Sequence, residues 1–192
     1  MKKILVMILI IFSIIYIYLL TIDKKVYYLA LTNNTSEYSD SLANYLEKSN
    51  KLEKYITEFS NSNTRVSDYI NLINNNEEIE YKNKKISIKN ALIKADLITI
   101  SFNINDIEYY MNSIDNYIIY KKDVELLLSK IRQYSKEDIF LIGFINKTKN
   151  ERLKKLNNDF KNICNNYNIN YIELSENNKA DIINKITLHV LK

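Results

Sequence analysis

The chain has 192 residues, one glycine, no proline, no tryptophan, 16 tyrosines and a formal net charge of +4. That length bounds it to one folded domain with a short appendage, and the lysines are spread without a concentrated basic patch, so no nucleic-acid partner is expected. One cysteine, Cys164, and one histidine, His189, exclude an intramolecular disulfide and a multi-Cys or His-rich metal site.

Ile4–Ile22 is an unbroken run without charge, flanked by Lys2 and Lys3 before and by Asp23, Lys24 and Lys25 after. About 19 residues at 1.5 Å rise span nearly 30 Å, the thickness of a hydrocarbon core. A cleaved signal peptide is the competing reading. Its cleavage site needs small residues, and Tyr18, Leu19, Leu20 and Thr21 fit that need poorly. An uncleaved single-pass anchor in the cell membrane is therefore expected, with residues 4–22 as the membrane contact. Lysines flank both ends, so charge does not orient it.

Val26–Leu31 (VYYLAL) reads as a buried strand, followed by a polar turn. Ser39–Leu52 carries apolar residues at helical spacing, and Tyr55–Phe59 is a candidate second strand. Ser60–Thr64 is a polar turn ahead of a helix carrying Val66, Tyr69, Ile70 and Ile73. Asn74–Lys85 reads as a charged, solvated loop. Ile88, Ala91, Leu92 and Ala95 suggest a helix leading into the strand Leu97–Phe102. Ile107–Met111 starts another helix, and Val124–Tyr134 is a clearer one. Ile139–Ile145 is a buried strand holding the sole glycine, Gly143. Asn150–Tyr167 is an amphipathic helix with Cys164 on its apolar face, Ile169–Leu174 a last strand and Ala180–Leu191 a terminal helix. Strands alternating with helices argue for βαβ units and a parallel sheet, and near-continuous apolar strands for one covered on both faces. With so little Gly and Pro, Asn must serve at turns, since it tolerates left-handed backbone better than other residues with a side chain.

Asp96–Asp106 reads DLITISFNIND, a short buried strand ending in an Asn-Asp pair at its carboxyl end. In open α/β sheets that end is where ligands sit. The stretch resembles the third block of the SGNH (GDSL-type) hydrolases, G-x-N-D after a strand, with the glycine replaced. Around the first block, YLALTNNTSEYSDSLANYL resembles the family's surroundings, with G-D-S falling on Thr32, Asn33 and Asn34. The second block falls within FSNSNTRVSDYI, its glycine at Asn63. IFLIGFINKT resembles a later family strand.

The resemblance implies a three-layer α/β/α sandwich with a parallel, flavodoxin-like (SGNH-like) sheet, preceded by one N-terminal transmembrane helix. Residues 1–25 form the anchor and residues 26–192 the domain, facing outward, extracytoplasmic, as in single-span relatives. It also assigns roles. Asn105 is the side-chain donor to an oxyanion, an interaction of roughly 3–4 kcal/mol in a working site. Asn63 holds the oxyanion-loop position, and Asp106 organises the turn.

Asn34 stands where the nucleophilic serine belongs, and a carboxamide cannot replace that hydroxyl. The D-x-x-H block is also missing, with Ser175–Asn178 in its place and His189 too late. Ser36 and Ser39 are nearby hydroxyls without an evident base. Losing nucleophile and base removes most of the rate. The resemblance thus implies an esterase or acylhydrolase lineage with lost or very weak catalysis, and a lipid or acylated-glycan ligand. The alternative is a non-catalytic binding or structural domain at the membrane surface. No cofactor is expected. Tyr109, Tyr110, Tyr117 and Tyr120 either line a cleft beside Asn105 or are half-buried packing residues. Arg65 either holds an anionic group or is an ordinary surface charge.

Overall fold

The computed structural model describes residues 24–32, 36–102, 107, 110, 113–144, 151–174 and 179–190. Strand β1 (Val26–Thr32) is apolar on both sides, and each side needs its own cover. Tyr27, Leu29 and Leu31 face one helix layer, while Val26, Tyr28 and Ala30 face the other. Around β1 the chain builds α1 (Ser36–Lys48), β2 (Leu52–Ile56), α2 (Val66–Asn75), β3 (Glu78–Tyr81), β4 (Lys84–Ser87), α3 (Ile88–Lys94) and β5 (Leu97–Ser101). It continues as α4 (Ile114–Tyr134), β6 (Asp138–Ile142), α5 (Glu151–Asn166), β7 (Asn170–Ile172) and α6 (Lys179–Val190).

The central sheet has the order β2-β1-β5-β6-β7 and is parallel throughout, as the alternation of strands and helices implied. The chain winds outward in one direction from β1 to β2, and in the other through β5, β6 and β7. That is the doubly wound order in which ligands bind outside the carboxyl ends of the strands. Leu42, Ala43 and Leu46 of α1 and Ile182 and Ile186 of α6 cover one face. Helices α2 to α5 cover the other, with Ile73, Leu92, Leu128 and Phe160 in its core. Cys164 is buried there as expected.

Three expectations are corrected. The second strand is Leu52–Ile56, three residues earlier than its apolar content suggested, because α1 stops at Lys48 and Asn50 turns the chain at φ 55°. The stretch read as a solvated loop is a two-stranded hairpin, β3 and β4, whose Ile79 and Ile86 pair across it. Helix α4 begins ten residues before Val124 and is capped by Ser113, whose side chain accepts from the Asn116 N–H. Among the described residues no helix is long and apolar enough to cross a membrane. The apolar run 4–22 lies outside them.

Asparagine does take over from glycine. Among the described residues positive φ falls on Asn50, Asn76, Asn83, Asn168 and Lys82, and Asn76 closes α2 at φ 52°. The sole glycine serves a different need, since its φ is not positive. A Cβ on Gly143 would lie 2.1 Å from the Tyr171 hydroxyl oxygen and 2.7 Å from its Cζ. Gly143→Ala must therefore push Tyr171 out of place, and is expected to destabilise the domain by about 2–3 kcal/mol through overpacking and a lost hydrogen bond. In a Tyr171→Ala background the same change should be nearly neutral. Equal losses in both backgrounds, measured by urea unfolding, would rule out this steric account.

Candidate functional site

Because every strand of the sheet is parallel, the carboxyl ends share one edge. Thr32 is level with Ser101, and Ser101 with Ile142, in the register of β1, β5 and β6. The segments carrying Asn34 and Asn105-Asp106 begin just beyond Thr32 and Ser101. Those residues, with Tyr109 and the 175–178 stretch, lie outside the described residues. Asn63 stands in the loop between β2 and α2, on this same edge.

That loop is built by short-range hydrogen bonds. The Asn61 N–H donates to Thr64 Oγ1 (2.8 Å), and the Asn63 N–H donates to Asn61 Oδ1 (2.9 Å), closing an Asx turn. The backbone donor expected at the oxyanion position is thus engaged within its own loop, and would have to leave Asn61 to meet an anion. Arg65 is exposed at the N-cap of α2, where its N–H donates to Asp68 Oδ2 (2.7 Å). Ser60 ties the loop to the sheet. Its Oγ accepts from the Thr32 N–H (3.2 Å) and shares a hydrogen bond with the Tyr69 hydroxyl (2.8 Å). Burial of Tyr69 raises its pKa, while Ser60 acts in the opposite direction.

A cavity of about 500 Å³ opens beside this loop, between it, α2 and the start of β3. Phe59, Leu72 and Ile79 supply its apolar wall, while Glu58, Asp68, Glu77 and Glu78 supply carboxylates and Asn61 and Asn63 amides. No motif in the sequence pointed to this cavity, because Glu77 and Glu78 sit in a stretch that reads as loop. The alternation of Ile79 and Tyr81 with glutamates was the available signal for a strand.

The tyrosines pack. Tyr120 is buried and stacked by Tyr110 at 4.7 Å between ring centres, and Phe102 and Phe160 meet it from the sides. The Tyr117 hydroxyl donates to Asp159, and burial together with that carboxylate raises its pKa. Ser39 is 2% exposed and bonded to Tyr55, so it does not present a hydroxyl to solvent. His189 lies in the last turn of α6, edge-on to Phe140 at 5.7 Å, in the middle of β6. On the far side of β6, buried Asn157 clamps the chain as it leaves the strand. Its Oδ1 accepts from the Phe144 N–H (3.2 Å) and the Tyr171 hydroxyl (2.7 Å), and its Nδ2 donates to the Phe144 carbonyl (3.1 Å). Neither Ser60 nor Asn157 stood out in the sequence, since both partners of each contact are remote along the chain.

These features define an α/β domain with a doubly wound parallel sheet and a cavity that runs from the loop at its carboxyl edge along α2 to the start of β3. The fold is similar to that of a gut microbial diltiazem-metabolizing enzyme, with a TM-score of 0.56 and 10% identity over 86% of this chain and 40% of that one. The chain thus spans less than half the length of that enzyme, and the likeness is one of fold. No protein-family model and no curated protein matches the sequence.

Proposed function

We propose that this is a degenerate hydrolase of SGNH (GDSL-type) lineage, anchored in the membrane by residues 4–22 with its domain outside, in which ester hydrolysis is lost or very weak. The sheet order carries the reading. It brings β1, β2 and β5, the strands that precede the three family-like blocks, side by side with their carboxyl ends on one edge. The similarity to a solved enzyme fold is consistent with it. Loss of catalysis is supported by the residues available. The nucleophile position holds Asn34, Ser39 is buried, and the chain's one histidine packs on Phe140. An oxyanion donor without nucleophile and base leaves only a small part of an enzyme's rate enhancement.

The cavity beside Asn63 favours a second element of the same reading, retained binding of the ester class that the ancestor cleaved, on a lipid or an acylated glycan. Incubating the full chain with a fluorophosphonate probe and with short-chain esters tests the loss of catalysis. No covalent label and no turnover above the buffer rate are expected. A labelled serine, or turnover that falls in Asn105→Ala, would mean that the oxyanion site works and that a displaced nucleophile is in use.

A further inference from the structure

We infer that the domain stands on the bilayer through the amino edge of its sheet, with the candidate site on the opposite edge facing the water. Its ligand is then an acylated glycan or similar water-borne ester, and not a lipid still packed in that membrane. This rests on the anchor proposed above and specifies which ligands its site can reach.

The joint between anchor and domain is short. The apolar run ends at Ile22, and only Asp23 separates it from Lys24. From Val26 on, the backbone is fixed to the domain, and ahead of it Lys24 adds a surface ion pair. Lys24 Nζ pairs with Asp96 Oδ1 at 2.6 Å, and the Tyr27 N–H donates to Asp96 Oδ2 at 2.9 Å. The Asp96 N–H returns a bond to the Tyr27 carbonyl (2.9 Å), and the Val26 N–H donates to the Lys51 carbonyl (2.6 Å). Asp96 thus serves both the ammonium and the backbone at the point of entry. The four steps from Ile22 to Val26 span at most about 14 Å, less than the length of β1, so the joint keeps the amino edge near the membrane.

The joint lies where β1 begins, and all five strands of the sheet begin at that edge. Seven residues of β1 at about 3.3 Å each place the carboxyl edge, with the Asn63 loop at the mouth of the cavity, roughly 20 Å further away. Charge has the same polarity. Lys25, Lys48, Lys51, Lys94 and Lys136 outnumber Glu47, Glu137 and Asp138 around the amino edge, Asp96 being held by Lys24. At the other edge Glu58 and Asp68 stand against Arg65, and the cavity adds Glu77, with Glu78 paired to Lys85 at 3.6 Å. Anionic headgroups attract the first edge and repel the second.

One feature argues for a tilted pose. Ile114, Ile118 and Ile119 are 79%, 44% and 51% exposed at the start of α4, on the site side, where they could dip into lipid. Charge weighs against that pose, because it would bring the acidic edge against anionic headgroups.

Depth-dependent quenching tests the orientation. Cys164 is buried in the core and is left in place, with the parent chain carried through labelling as the control. Single cysteines introduced as Lys136→Cys, Asn63→Cys and Ile118→Cys are labelled with a fluorophore in the full chain. The protein is reconstituted in phosphatidylcholine and phosphatidylglycerol vesicles bearing headgroup nitroxides. Quenching at position 136 is expected to exceed that at 63 and 118 several-fold. Equal or stronger quenching at 63 or 118, in protein that floats with the vesicles, overturns the orientation while leaving the anchor intact. Protein that fails to float overturns the anchor itself, and the inference with it.

Discussion

Replacing Asn157 by leucine is expected to destabilise the domain by about 3–5 kcal/mol. Leucine keeps the branched outline of asparagine and is larger, so the effect is not that of a cavity. It comes from what is left behind. Asn157 is 5% exposed, and its carboxamide satisfies both the N–H and the carbonyl of Phe144 as well as the Tyr171 hydroxyl. Each buried group left without a partner costs about 1–3 kcal/mol, more than the net value of the bond itself. Phe144 is 6% exposed, so water does not readily replace the lost amide.

For a domain of this size that loss lowers Tm by roughly 10 °C. Urea unfolding should show a lower midpoint at unchanged slope. A loss under about 1 kcal/mol would mean that water reaches Phe144 after all. Asn157→Asp discriminates further. It keeps the acceptor toward the Phe144 N–H but sets a carboxylate oxygen against the Phe144 carbonyl, so it should not rescue stability at neutral pH. Because this clamp fixes the chain where it leaves β6, its loss should also loosen the carboxyl edge that carries the candidate site.

The second large effect is unfolding in alkali. Tyr28 is fully buried and bonded to Thr99 Oγ1 at 2.8 Å, and burial raises its pKa, as it does for Tyr69 and Tyr171. Burial likewise pushes Tyr27 and Cys164 up to about 12. In each case the fold favours the protonated, neutral form. Below the unfolded values, near 10 for tyrosine and 8.5 for cysteine, both states hold the proton and stability is complete. Above them the unfolded chain gives up protons that the folded chain retains, and stability falls as pH rises toward the folded values. Each group contributes a loss of up to about 1.4 kcal/mol per pH unit.

Tyr28, Tyr69 and Tyr171 together reach about 4 kcal/mol per unit, against a total stability of roughly 5–15 kcal/mol. Cooperative unfolding is therefore expected between about pH 11 and 12.5. Tyrosinate absorbance at 295 nm should rise in step with the loss of far-ultraviolet ellipticity. A smooth tyrosine titration near pH 10 with intact ellipticity would show that these rings are open to solvent.

Much of the fold is written in local pattern. VYYLAL, LITI and IFLI announce strands buried on both sides, because a run with no polar face can only sit inside. Val66, Tyr69, Ile70 and Ile73 mark one face of α2, and the expected role of asparagine at left-handed turns is met at Asn50, Asn76, Asn83 and Asn168. Where the pattern was ambiguous it misled. Tyr55–Phe59 looks as strand-like as Leu52–Ile56, and the choice fell to the earlier segment because parallel pairing with β1 sets the register from Val26 and Leu52 upward. The hairpin of β3 and β4 was hidden by its glutamates and lysines, which suit an exposed two-stranded ribbon as well as a loop.

The candidate site was legible only as a set of strand ends. That Asn63 and Arg65 would stand in a loop after the second strand followed from their polar turn. That the Asn63 N–H would be taken by Asn61, that Glu77 and Glu78 would close a cavity over Phe59, and that the tyrosines near Phe102 would stack on one another did not. The sequence by itself determined the parallel α/β class, the apolar N-terminal run and the single histidine and cysteine, because those depend on residue type and local period alone. Tertiary structure decided which strands lie side by side, what Ser60, Gly143 and Asn157 hold in place, and which edge lies far from Lys24, because each of those depends on groups brought together across long stretches of chain.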